Sequence, residues 1–192
     1  SNNSKILQSS FYEIDILEIG GHHKGKRGKD SENKQPTLLI LSTLEDNNYP
    51  QYVKLHTLPN YKGEPIEEYL KEKCLFDPTI VINCDRDKAF FCLNKLAQLE
   101  NSVVDYTKEN HKLKWLNTFI GNIQSNINHL YRLVKKRDLP LFLSEQEWRI
   151  NHRYSGKRIM DKVKKYISMS TPVTFKQITN SVLAYEKQFL SA

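Results

Sequence analysis

A chain of 192 residues, 39% hydrophobic and 27% charged, is long enough for one sizeable core and too short for a second full domain. No run approaches the roughly 18 apolar residues of a membrane span. Ser1 to Ser10 lacks the charged-then-apolar pattern of a signal peptide, so a cytoplasmic protein with no membrane partner is expected. The net charge of +7 is uneven: residues 1–100 hold 13 Lys/Arg against 15 Asp/Glu, and residues 101–192 hold 16 against 7. That division suits a polyanion held against a metal-binding centre, and suits a solvated basic surface equally well.

Phe11–Ile19 alternates as a strand, and the basic, glycine-rich stretch Gly20–Gln35 reads as a loop or hairpin tip. Thr37–Leu44 and Gln51–Leu58 read as two more strands around a turn at Asp46–Pro50. Glu64–Cys74 has helical spacing with Pro65 in its first turn, and Thr79–Cys84 is a short apolar run of the kind found in buried central strands. A helix over Lys88–Leu99 and a fifth strand at Ser102–Tyr106 follow. Beyond them Leu113–Val134, Leu139–His152, Lys157–Ile167 and Phe175–Gln188 carry apolar residues at three- and four-residue steps. Cys74, Cys84 and Cys92 form no C-x-x-C pair and are odd in number, so each reads as a small buried hydrophobe.

This order of elements predicts an RNase-H-like α/β fold, a mixed five-stranded sheet flanked by helices with a helical C-terminal region. Four short segments sharpen the expectation. Glu13-Ile14-Asp15, with Gly20-Gly21 and His23-Lys24-Gly25-Lys26-Arg27-Gly28 beyond it, is similar to an E-[IV]-D strand running into a basic glycine loop. Ile82-Asn83-Cys84-Asp85 resembles an apolar strand ending on aspartate, and Leu113–Thr118, running on to Asn122, resembles a W-[LV]-[HN]-T helix start. Leu139–Glu145 with Trp148-Arg149-Ile150-Asn151 and Arg153 resembles a closing Y-L-x-E-F-x-x-R-x-N-x-R helix.

Together these resemble the DDE-type bacterial insertion-sequence transposases related to the eukaryotic Merlin elements, in part of which asparagine replaces the third acidic residue. The resemblance covers residues 11 to 154 and implies a catalytic domain there, with residues 1–10 as a linker and 155–192 as a C-terminal helical extension. Relatives carry an N-terminal DNA-reading region, so the chain is expected to be an excised catalytic domain. It implies metal-dependent DNA cleavage and strand transfer, with two Mg²⁺ (Mn²⁺ as substitute) held by Asp15, Asp85 and Asn122. The separation of 37 residues between the last two is similar to that in many transposases and integrases. Double-stranded DNA, both transposon ends and target, is the implied partner of a homo-oligomer associated with the bacterial nucleoid. Lys24, Lys26, Arg27, Lys29, Arg149 and Arg153 are the implied DNA contacts. Gln124 stands where the family usually has lysine.

The residues also admit plainer readings. Asp85 can cap the helix after it, Asn122 can be helix surface, and Arg149 can pair with Glu145 four residues back. Asp15 is harder to dismiss, because an acid within an apolar strand is costly to bury unless paired. Glu13 shares its face by strand alternation and is the reserve ligand, with Glu145 and Glu147 as further candidates for a third acid; Asp87 is expected in solvent. A catalytically silent DNA-binding module and a nuclease or resolvase on the same fold are the alternative functions.

Overall fold

The computed structural model describes residues 11–20, 34–43, 49–73, 79–85, 87–101, 113–130, 134–156 and 158–180. The glycine-loop cations Lys24, Lys26, Arg27 and Lys29, His22, His23, Cys74 and the strand expected at Ser102–Tyr106 lie outside them. Five strands form one sheet in the order β3-β2-β1-β4-β5, with β1 (Phe11–Gly20), β2 (Lys34–Thr43), β3 (Pro50–Thr57), β4 (Val81–Cys84) and β5 (Gln98–Asn101). The first three pair antiparallel, whereas β4 and β5 run parallel to β1. Three antiparallel strands continued by two parallel ones is the RNase-H-like arrangement.

Both faces of the sheet are covered, which is why β2 is buried continuously from Pro36 to Thr43. On one face Tyr12, Ile14, Leu38, Ile40 and Ile82 pack with Ile66 and Leu70 of α1 (Gly63–Lys73) and with Phe90 and Leu93. On the other Leu17, Ile19, Leu39 and Leu41 pack with Leu116, Phe119 and Ile123 of α2 (Lys114–Leu130) and with Leu139 and Leu143 of α3 (Leu139–Asn151). Alternation along β1 therefore sends Tyr12 and Ile14 one way and Glu13, Asp15 and Leu17 the other.

Two expected elements change character. Lys88–Lys95 is a 3₁₀ helix rather than the α-helix expected to Leu99, and Gln98–Asn101 already forms the fifth strand. Gly63 explains the tight geometry beside it: a Cβ there would stand 2.9 Å from both the Ala89 carbonyl and Cys92 Sγ. Cys84 is buried and Cys92 partly so. α4 (Arg158–Met169) has no buried residue, and no helix of the described residues is long and apolar enough to cross a membrane.

The edge strand β3 is closed by side chains of α3. Asn151 accepts from the Val53 N–H at 2.8 Å and donates to the Val53 carbonyl at 2.9 Å. Glu147 accepts from the Leu55 N–H at 3.2 Å and from Lys54 Nζ at 2.7 Å, with both charged groups buried. Removing one member of such a pair leaves the other buried and uncompensated. We therefore expect Glu147→Ala to cost about 3–5 kcal/mol in denaturant unfolding, with much of that loss recovered in the Lys54→Met, Glu147→Leu double variant. Equal loss in single and double variants would show that the charge pairing is not the source.

His56, on β3, stacks on Tyr69 of α1 with centroids 3.9 Å apart and 10° between the planes. Burial, with Glu72 opposing and Lys73 assisting, lowers its pKa from 6.5 to about 4. The unfolded chain then takes up a proton below pH 6.5 that the folded chain refuses until about pH 4. Stability from this group is whole above pH 6.5 and is lost as pH falls to 4, by up to roughly 3 kcal/mol. The difference in unfolding free energy between wild type and His56→Phe should trace that loss; a difference that stays flat from pH 7 to 4 would refute it.

Candidate active site

Ile14 on β1 and Cys84 on β4 are direct partners in the parallel ladder, and one step further along both strands stand Asp15 and Asp85. Neighbouring strands lie about 4.8 Å apart, so the ladder brings the backbones of Asp15 and Asp85 near one another. Both line a cleft of about 490 Å³ together with Ile16, Leu17, Glu18, Lys34, Tyr61 and Asp87, and with Asn117, Ile120 and Gln124 of α2. Their charges are felt at Cys84, whose thiol is pushed up to about 12 by burial first and then by Asp85 and Asp15. A thiol so hard to ionise is no nucleophile.

α2 is fixed above this pair at two points. Glu13 Oε2 accepts from the Leu116 N–H at 3.2 Å, one of the first-turn amides that a helix cannot satisfy internally. The first turn of α2 holds no acid of its own, so the strand supplies the negative charge its N-terminus favours. Burial raises Glu13 to about 7, with the Leu116 bond acting against that rise. Eight residues on, Gln124 Nε2 donates to the Glu18 carbonyl at 3.3 Å. Glu13 is thus the helix anchor, and it is not among the residues that line the cleft.

Asn122 does not join Asp15 and Asp85. It is exposed, and the face of α2 turned into the cleft carries Asn117, Ile120 and Gln124 at helical spacing. Asn126, one turn beyond Asn122 on its own face, bonds Gln146 of α3 at 3.0 Å, so that face looks toward α3 and solvent. The amide that does look inward is Asn117, whose Nδ2 is buried with no hydrogen-bond partner; Asn83 Oδ1, on β4 beside the pair, is likewise orphaned. Buried polar atoms are costly to leave unpaired.

The capping role considered for Asp85 belongs to Asp87, which accepts from the Ala89 N–H at 3.0 Å at the start of the 3₁₀ helix. Asp87 therefore lies in the cleft wall and not simply in solvent. Glu18, three residues from Asp15 on the opposite alternation, reaches the same cleft. The remaining candidates are engaged elsewhere. Glu147 is paired with Lys54, and the exposed Arg149 bonds Glu145 at 2.7 and 2.9 Å. Arg153 binds the Gln51, Ile150 and Pro50 carbonyls and lies over the Tyr154 ring at 4.5 Å. It stands at the end of the sheet where Pro50, Thr43 and Phe11 meet, away from the cleft.

Mg²⁺ takes hard oxygen ligands and keeps several waters, so two carboxylates and an amide oxygen are a sufficient protein share. Asp15 and Asp85 would supply the carboxylates. Turning the Asn117 amide exchanges its nitrogen for its oxygen, and the unpartnered atom makes that exchange free of any lost bond. Among the described residues no three His, Cys, Asp or Glu side chains group as a metal site.

The class of this protein is set by its RNase-H-like sheet, with Asp15 on β1 and Asp85 just past the end of the parallel strand β4, both lining one cleft. The chain belongs to the ISXO2-like transposase domain family, whose model matches residues 11–151. No curated protein matches it. Among solved structures it is similar to the catalytic core domain of BIV integrase, with a TM-score of 0.48 and 10% identity over 83% of this chain and 99% of that one.

A Mn²⁺ titration separates the two asparagines. Asn117→Ala should weaken binding roughly 10- to 100-fold, the usual effect of disturbing a metal's supporting contacts, while Asn122→Ala leaves it unchanged. The opposite pattern would return Asn122 to the site.

Proposed function

We propose that this domain cuts a DNA strand and joins its 3′ end to another, as the catalytic domain of a Merlin-related transposase acting as a homo-oligomer on DNA. The observation that carries the reading is the ladder that sets Asp15 beside Asp85 under one face of α2. Asp15 and Asp85 would hold two divalent ions, with the Asn117 carbonyl as third ligand. Such ions activate the attacking oxygen and stabilise the leaving one in an in-line displacement at phosphorus.

The protein's own contribution is position. The ladder fixes the carboxylates, and the Glu13 and Gln124 bonds fix the helix that closes over them. Ile120 sets one apolar side chain between the Asn117 and Gln124 amides of the cleft's roof. Ile120 and Gln124 also favour a second reading, a silent DNA-binding module, since both are uncharged on the face that overlooks the aspartates.

The test is a joining assay on pre-cleaved DNA ends with Mg²⁺ or Mn²⁺. Wild type should join strands, and Asp85→Asn should lower the rate by at least about 100-fold, or ~2.7 kcal/mol of barrier, with DNA affinity retained. A wild type that binds DNA yet neither cuts nor joins under these conditions would establish the silent module instead.

A further inference from the structure

The cleft presents an imbalance. Four carboxylates line it, those of Asp15, Glu18, Asp85 and Asp87, and among its described lining residues Lys34 is the one cation. On the reading above, a DNA strand must bring its phosphates here. Divalent ions answer for Asp15 and Asp85, and Asp87 is turned to the Ala89 N–H. Glu18 remains, and its carboxylate bridges two donors from different elements: Lys34 Nζ reaches Oε2 at 2.5 Å and the Tyr61 hydroxyl donates to Oε1 at 2.7 Å.

We propose that Lys34 and Tyr61 form a phosphodiester-binding subsite of this cleft, with Glu18 holding the two donors in place until a DNA phosphate displaces it. Three observations support it. A phosphodiester offers two non-bridging oxygens much as a carboxylate does, so donors spaced to meet both oxygens of Glu18 are already spaced for a phosphate. The Lys34 side chain is 31% exposed against 19% for Glu18, so the cation has a path to a ligand while the carboxylate stays behind it. Glu18 is itself fixed, because its backbone carbonyl accepts from Gln124 and its strand is central in the sheet. The helix face opposite offers only the uncharged Asn117, Ile120 and Gln124, so among the described lining residues the positive charge for the strand comes from the first residue of β2.

The subsite rests on the DNA-processing reading, and salt dependence tests it apart from chemistry. Binding of a short fluorescent duplex is followed by anisotropy over a range of salt, with Ca²⁺ present to support binding. Each phosphate neutralised contributes about −0.9 to the slope of log affinity against log salt. Lys34→Ala should make the slope shallower by about that amount and weaken binding about tenfold at low salt, with Lys34→Arg restoring both. Tyr61→Phe should weaken binding with the slope unchanged, and Glu18→Gln should strengthen it by removing the competing charge. Lys71→Ala serves as control, because Lys71 makes a similar exposed pair with Glu67 on α1, outside the cleft.

Thermal unfolding of each variant checks the fold, and Lys34→Gln replaces the alanine variant if that one is destabilised. A purely structural ion pair predicts that Lys34→Ala and Glu18→Gln both lower the melting temperature and leave the DNA slope untouched; that result overturns the subsite. If the slope changes as expected while wild type joins no DNA, the subsite stands and the strand-transfer reading falls. If wild type joins DNA and the Lys34 variants bind it as wild type does, the subsite alone is lost.

Discussion

The arrangement of the cleft depends on α2 being tied to β1 at both ends of a short span. A helix advances 1.5 Å per residue and a strand about 3.3 Å, so Leu116 to Gln124 covers ~12 Å beside the ~16 Å from Glu13 to Glu18. The two elements run together closely enough for both bonds to form, and the residues between them face one another. Asn117 and Ile120 are brought over the Asp15 and Asp85 region as a consequence. Had either bond been made one residue away, the helix would have turned by about 100° and another face would look down.

The cost of this arrangement is concentrated in Glu13. A carboxylate almost fully removed from water is pushed up to about 7, and among the described residues its hydrogen-bond partner is the Leu116 backbone amide. The helix N-terminus offsets part of that cost by presenting unsatisfied N–H groups to the acid. The neighbouring Asn83 and Asn117 add polar atoms without partners. A tightly packed polar layer beneath a cleft is the kind of local inconsistency that folded proteins keep where a site is needed.

The fourth segment of family resemblance serves the opposite end of the sheet. Glu147, Asn151 and Arg153 all bond the backbone or buried lysine of β3, an edge strand that would otherwise expose its ladder. A sequence rich in charged and amide groups on a helix looks like a binding surface when read as a string. Here those groups replace the missing neighbouring strand, and this accounts for Arg153 being committed to Pro50 and Gln51 carbonyls.

The sequence by itself determined the first four strands of the sheet and set Asp15 within one of them and Asp85 at the end of another. The alternation of Phe11–Ile19, the apolar run ending at Asp85 and the spacing of the later helices are local patterns, set by the two- and 3.6-residue periods of strand and helix. Of the resemblance drawn over residues 11 to 154, the transposase family is borne out by the family match over residues 11–151. What the tertiary structure decided was facing. Periodicity groups Asn117, Ile120 and Gln124 on one side of α2 and leaves Asn122 on another, but it does not say which side meets β1. That choice is made by Glu13 and Glu18, more than a hundred residues away in sequence. The same holds for Glu18, Lys34 and Tyr61, which share no local pattern and meet only where three elements converge on one carboxylate. Capping was settled likewise, because Asp85 and Asp87 are both suited to it by type and only backbone geometry gives the Ala89 amide to Asp87.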